Sequence, residues 1–292
     1  MRTRLIIVAC VVAVALVFGG LWAAGALSPG DESQSLRAER TTTSSTRARG
    51  DAPPKCRSPL TPDEPLRLWI GGDSLAGSLG PSLGEQTAAT GVVQPIYDSR
   101  VSSGLSTPDF FDWPKHAAEE MARLDPEVAV FIIGANDFKV PGDTTTSSSG
   151  QPAWRDAYAL RVEQMLDVLE QGSEPGRVRP VYWVGAPPME DERKDSGVQQ
   201  VDAVARTVVA DHPEATYIDA YGIFSGPDGK YTPTLPNPKG GKDVLVRADD
   251  GIHFNPEGGD VLGEHVFEPL DARCDLEAQA VPGVHKQVER TK

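Results

Sequence analysis

Basic side chains are scarce in this chain. Its 292 residues carry 28 Lys and Arg against 42 Asp and Glu, a formal net charge of −14. The shortage sharpens in the middle, where residues 60–274 hold 17 basic and 35 acidic side chains, a net of −18. A body so acidic presents no basic face to a nucleic-acid backbone, so nucleic acid is not an expected partner. It also repels anionic lipid headgroups. Cysteine is nearly absent, at three residues, and histidine stops at five. No Cys-x-x-Cys and no His-Glu-x-x-His spacing occurs, so neither a metal site nor a cofactor is expected. Apolar residues are not in short supply: at 39% they suffice for a folded core and argue against disorder across the body.

Apolar residues also open the chain. Residues 5–27 are 23 consecutive uncharged positions behind Arg2 and Arg4. As a helix rising about 1.5 Å per residue they span roughly 35 Å, enough to cross a ~30 Å hydrocarbon core. The two arginines favour a cytoplasmic start with the remainder outside. Residues 1–27 therefore read as a membrane anchor, or as a signal peptide cleaved near Ala24-Gly25-Ala26. Export is common to both readings: the domain is held outside the cell membrane by a single span, or secreted. Membrane contact is expected through this segment alone.

Residues 28–59 form a Ser/Thr/Arg-rich linker without apolar periodicity, with a reach of about 30 Å. Residues 275–292 are equally non-periodic and are expected to be a disordered tail. Between them, residues 60–274 read as one domain bracketed by Cys56 and Cys274. In an oxidising compartment these two are expected to pair and clip the domain's ends together.

Within the domain, apolar runs at residues 66–70, 92–97, 128–133, 178–184 and 215–218 do not alternate in and out. That pattern suits strands buried on both faces of a parallel sheet. Helical stripes lie between them: Trp154, Tyr158, Val162, Met165, Leu166 and Leu169 form one, Val198, Val201, Ala205 and Val208 another. Asn255 is placed to cap a last helix beginning at Pro256. Alternating strands and helices imply a three-layer α/β/α sandwich with right-handed crossovers. In such folds ligands bind at the carboxyl ends of the strands.

The first of those ends carries Gly71-Gly72-Asp73-Ser74-Leu75-Ala76-Gly77. A phosphate loop is excluded, because Ser78-Leu79 stand where Lys-Ser/Thr is required. A dinucleotide fingerprint fails as well, since Asp73 occupies the place of its second glycine. What remains is a nucleophilic serine on a tight strand-to-helix turn, with helix-end N–H groups facing a developing oxyanion, or an ordinary turn and N-cap with the same letters. The second end carries Gly104, which lets a backbone N–H approach a ligand or simply serves a turn. The third carries Gly134-Ala135-Asn136-Asp137, whose asparagine amide is a neutral donor or an Asx-turn former.

Before the last helix stands Asp250-Gly251-Ile252-His253. An attacking hydroxyl must lose its proton, imidazole is the usual acceptor near neutral pH, and a carboxylate must hold the imidazole in one tautomer. Asp250, three residues before His253, can do so within a single turn of chain. None of the other four histidines combines a carboxylate at that spacing with a strand-end loop.

Taken together, Gly72-Asp73-Ser74-Leu75, Gly104, Gly134-Ala135-Asn136-Asp137 and Asp250-Gly251-Ile252-His253 resemble, in order, the four blocks of the SGNH (GDSL-type) hydrolases. The likeness spans about residues 64–272. Residues 99–114, with Phe110-Phe111-Asp112-Trp113, are similar to a bacterial envelope branch of SGNH domains that accompany membrane acyltransferases. The resemblance implies a flavodoxin-like, five-stranded parallel sheet. It implies Ser74 as nucleophile, His253 as base and then acid, and Asp250 as the residue that orients His253. It implies an oxyanion hole made by the N–H groups of Ser74 and Gly104 with the amide of Asn136.

A classical α/β-hydrolase fits less well, because Ala76 replaces the last glycine of Gly-x-Ser-x-Gly. The expected activity is that of an exported serine esterase removing acyl groups, acetyl by resemblance, from an extracellular or envelope ester. An O-acyltransferase using a glycan hydroxyl and a non-catalytic glycan-binding module stay open. The expected partners are an acylated glycan or other small ester and, by the same resemblance, a membrane acyltransferase. Residues 141–152 and 225–243 are expected to shape the site's mouth, the second with Lys230, Lys239 and Lys242 facing an anionic polymer or plain solvent.

Overall fold

The computed structural model describes residues 55–137, 153–174 and 176–291. The apolar segment at residues 5–27, most of the linker and the loop at residues 141–152 lie outside them. Among the described residues no helix is long and apolar enough to cross a membrane.

The chain alternates as expected. Strands β1 (Leu66–Gly72), β2 (Val93–Ser99), β3 (Val128–Ile132), β4 (Val181–Val184) and β5 (Ala215–Ile218) are each followed by a helix. The helices are α1 (Ala76–Ala88), α2 (Trp113–Leu124), α3 (Ala153–Glu170), α4 (Glu192–Ala210) and the short α5 (Ala220–Ile223). A two-stranded pair, β6 (Thr234–Leu235) and β7 (Val244–Leu245), precedes α6 (Pro256–Cys274), and β8 (Glu289–Arg290) ends the chain. Helix starts follow local chemistry. Asp112 accepts from Lys115 N–H to open α2, and Asn255 accepts from Gly258 N–H just ahead of Pro256 to open α6.

The sheet runs β5-β4-β3-β1-β2-β8, every pair parallel. The order reverses at β1, which opens a crevice at its carboxyl end. Each central strand is apolar on both faces. Leu66, Leu68 and Ile70 of β1 join Val128, Val130 and Ile132 of β3 in the layer packed by α1 and α6. Trp69, Phe131 and Trp183 point the other way and meet α2, α3 and α4, with Phe131 5.2 Å from Trp183 and 5.1 Å from Trp113 between ring centres. Double burial is why these strands read as unbroken apolar runs.

Three boundaries differ from expectation. The sheet has six strands rather than five. The tail is not disordered: beyond α6 it runs back over α1, with Leu276 buried, Val281 N–H donating to Thr90 O at 2.9 Å and Lys286 N–H to Ala88 O at 3.1 Å. It ends as β8 beside Ile96 and Tyr97 of β2. An extended strap needs no periodicity of its own when a sheet edge and a helix end supply its hydrogen bonds. The domain also begins before residue 60, since Arg57 pairs with Glu127 at 2.8 Å and Cys56 is bonded to Cys274. That bond closes a loop with a sequence separation of 218 and constrains the unfolded chain.

Asp202 of α4 supplies a measurable property of this packing. Its carboxylate is buried and Oδ1 accepts from Ala186 N–H at 3.2 Å. Burial outweighs that bond and pushes its pKa from 3.8 up to about 8. A raised carboxyl favours folding fully below pH 3.8 and loses that advantage as pH climbs to about 8. Asp202→Asn keeps the acceptor without the charge. It should therefore be more stable than wild type at pH 8 and fall less between pH 4 and 8 in denaturant titrations. An unchanged slope would exonerate Asp202.

Candidate active site

Ser74 sits where β1 must turn sharply into α1. Gly72 makes the turn possible, with φ at 149° and a pro-Cβ position only 1.9 Å from Ile132 O. Asp73 then locks it. This fully buried carboxylate accepts from Leu75 N–H through Oδ1 at 2.8 Å and from Ala135 N–H through Oδ2 at 3.2 Å. Burial pushes its pKa up to about 7 against the pull of those N–H groups. One side chain thus ties the Ser74 turn to the turn after β3.

The half-buried Ser74 Oγ lies 2.7 Å from His253 Nε2, and His253 Nδ1 lies 2.6 Å from Asp250 Oδ2. Asp250 Oδ1 accepts from the N–H groups of Ile252 and His253, both at 2.9 Å. Burial opposes ionisation of Asp250, but the His253 ring and those two N–H groups win and draw its pKa down to about 2. The loop itself rests on Arg247, a buried guanidinium that donates to Ile252 O at 2.7 Å and Pro188 O at 2.8 Å. Burial pulls the Arg247 pKa down to about 10.

Three donors lie on the turns that follow β1, β2 and β3. The N–H groups of Ser74 and Gly104 meet no acceptor among the described residues. Asn136 Nδ2 donates to Ser103 O at 2.9 Å. Ser103 C=O and Gly104 N–H belong to one planar peptide and point in opposite directions. The bond from Asn136 therefore aims the Gly104 N–H, and the amide keeps a second hydrogen for a ligand. Gly104 must be glycine, because a Cβ there would stand 2.5 Å from Asp137 Oδ1. Asp137, also buried, accepts from Leu105 N–H, Ser106 N–H, Ser106 Oγ and the Tyr158 hydroxyl at 2.5–3.2 Å and so holds this loop against β3.

The structure thus brings Ser74, His253 and Asp250 into one hydrogen-bonded line and joins Gly104 to Asn136 through Ser103. Arg247 and Ser103 carry no functional signal in the sequence, Tyr158 shows there only as part of a helical stripe, and Asp73 and Asp137 have no role of their own there. A signal existed for the two aspartates, which stand inside the motifs; Arg247 acts on backbone carbonyls and Tyr158 on a carboxylate 21 residues away, and neither leaves a local pattern. The other histidines serve elsewhere: His116 pairs with Asp98 at 2.6 Å and His212 with Glu170 at 2.9 Å, neither beside a serine hydroxyl.

A family model described as a protein of unknown function, DUF459, matches residues 67–269. No curated protein sequence matches the chain. Similar solved structures include a GDSL-like lipase from Bacteroides thetaiotaomicron, at 14% identity over 71% of this chain and 88% of that one, with a TM-score of 0.48. A carbohydrate acetylesterase from Sinorhizobium meliloti shares 15% identity over 70% of this chain and 98% of its own, TM-score 0.47. An aryl esterase from M. smegmatis shares 14% over 71% and 99%, TM-score 0.48. The fold assignment rests on the strand order rather than on these distant likenesses.

The hydrogen-bonded line predicts selective chemistry at one hydroxyl. A fluorophosphonate should modify Ser74 alone in the full chain, as read by peptide mass mapping, and His253→Ala should abolish the adduct. Adducts spread over several serines, or undiminished in His253→Ala, would make Ser74 an ordinary hydroxyl.

Proposed function

The chain belongs to the DUF459 family, and we propose that it is an exported serine esterase of SGNH type. It removes acyl groups, acetyl by its resemblance to SGNH hydrolases, from an envelope or extracellular ester. The observation that carries this reading is the hydrogen-bonded line Ser74–His253–Asp250, with the N–H groups of Ser74 and Gly104 left without an acceptor among the described residues. The segment at residues 5–27 supports export.

In this mechanism Ser74 Oγ attacks the acyl carbonyl while His253 Nε2 takes its proton. Asp250 holds the ring tautomer through Nδ1. The carbonyl oxygen becomes an oxyanion that accepts from Ser74 N–H, Gly104 N–H and the second Asn136 hydrogen. Collapse expels the alcohol, which takes the proton from His253, and leaves an acyl-Ser74 ester. Water, deprotonated by His253, repeats the cycle and releases the acid. A sugar hydroxyl in place of that water gives acyl transfer from the same intermediate.

p-Nitrophenyl acetate turnover by the full chain tests the reading. Wild type should release nitrophenolate and Ser74→Ala should not. Asn136→Ala should lower kcat by about 10²–10³, since it removes one donor and releases the Gly104 peptide. Equal rates in wild type and Ser74→Ala would sink the proposal.

A further inference from the structure

A cavity of about 520 Å³ opens beside the catalytic loop, between the segments that follow β4 and β5. Its walls include Glu190, Glu192, Gln199, Tyr221, Lys230 and Tyr231. Two contacts place it against the site. Glu190 N–H donates to Gly251 O at 3.0 Å, inside the Asp250–His253 turn. The Tyr231 ring packs at 4.9 Å on the same Arg247 guanidinium that holds Ile252 O. A molecule seated here lies next to the residues that handle the departing alcohol's proton.

We infer that this cavity is the subsite for the alcohol portion of the ester, and that it takes a neutral sugar residue. The inference rests on the esterase reading and names the substrate class within it. An acyl chain would need an apolar wall, and Met189 is the one aliphatic side chain larger than glycine in the lining. An anionic group is repelled: Glu190, Glu192, Asp195 and Asp228 surround the single cation Lys230. The anionic polymer expected for Lys230 therefore has no place here.

A sugar matches what remains. Its hydroxyls donate to the carboxylates of Glu190 and Glu192 and accept from Lys230 Nζ, while its C–H face packs on a phenol ring. The carboxylates of Glu190 and Glu192 and the Lys230 ammonium have no side-chain partner among the described residues' hydrogen bonds and ion pairs. The wall is also held in place. Asp195 accepts from Met189 N–H at 2.9 Å, from Gln199 at 2.7 Å and from the Tyr221 hydroxyl at 2.9 Å. Gln199 and Tyr221 are thereby fixed before any ligand arrives, which lowers the ordering cost of binding.

The test is calorimetric titration of the full-length Ser74→Ala chain with xylotriose, cellotriose and chitotriose, beside trigalacturonate and choline. At least one neutral trisaccharide should bind, and Tyr231→Ala and Glu192→Gln should each weaken it by about tenfold, with melting temperatures confirming that both variants fold. In wild type the same variants should lower the ratio of kcat/KM for an acetylated trisaccharide to that for p-nitrophenyl acetate. No binding by any neutral trisaccharide, binding indifferent to both variants, or preference for trigalacturonate or choline would overturn the inference. Fluorophosphonate labelling separates the two failures. A labelled Ser74 without sugar binding sinks the subsite alone, whereas sugar binding without a labelled Ser74 sinks the esterase reading.

Discussion

The buried carboxylate of Asp73 is the constraint on which the site depends. It accepts one N–H from the Ser74 turn and one from the turn after β3. Those turns belong to adjacent strands, and β1 lies where the sheet order reverses. Without an acceptor between them, two buried N–H groups would go unsatisfied, at about 1–3 kcal/mol each. The cost of keeping a carboxylate out of water shows in its raised pKa. A group kept in so unfavourable a place acts as a fixed spacer between the Ser74 turn and the turn that carries Asn136. Preorganisation of this kind lets dipoles stabilise developing charge without moving.

A second buried aspartate repeats the device one strand further. Asp137 gathers donors from Leu105, Ser106 and Tyr158, and so sets the loop that carries Gly104. Asn136, its neighbour, completes the arrangement from the other side by holding the Ser103 carbonyl. In the proposed mechanism the asparagine works in two ways at once, as a donor to the oxyanion and as a clamp on the peptide that supplies another donor. Losses at such coupled positions are not additive, because one amide controls two hydrogen-bond directions.

Much of this was legible in the sequence because the sheet is buried on both faces, so β1, β3 and β4 are largely apolar runs closed by a glycine. The hydrogen-bonded line of Ser74, His253 and Asp250 was legible because Asp250 and His253 are three residues apart and Ser74 follows the first run. What escaped were elements with no local pattern. The tail at residues 275–291 has no period, since its hydrogen bonds come from the edge of β2 and the end of α1. Arg247 escaped because its targets are backbone carbonyls, which leave no trace in composition. Asp73 was visible as a motif letter while its role was not, because Ala135 lies 62 residues away.

The aspartates of the site are built on opposite principles. Asp73 and Asp137 are buried and burial raises their pKa values, whereas the Asp250 side chain is 49% exposed and its pKa is drawn down to about 2. A charge so open to solvent is screened, and its pull on an imidazolium is modest. Its hydrogen-bond pattern is another matter. With Oδ1 fixed by two N–H groups of its own turn, Oδ2 has one direction left, toward His253 Nδ1. Asp250 thus contributes orientation and tautomer more than electrostatic field. That explains how a three-residue loop, braced from below by Arg247, suffices where other scaffolds bury the acid on a separate element. It also leaves the solvent side of the loop open.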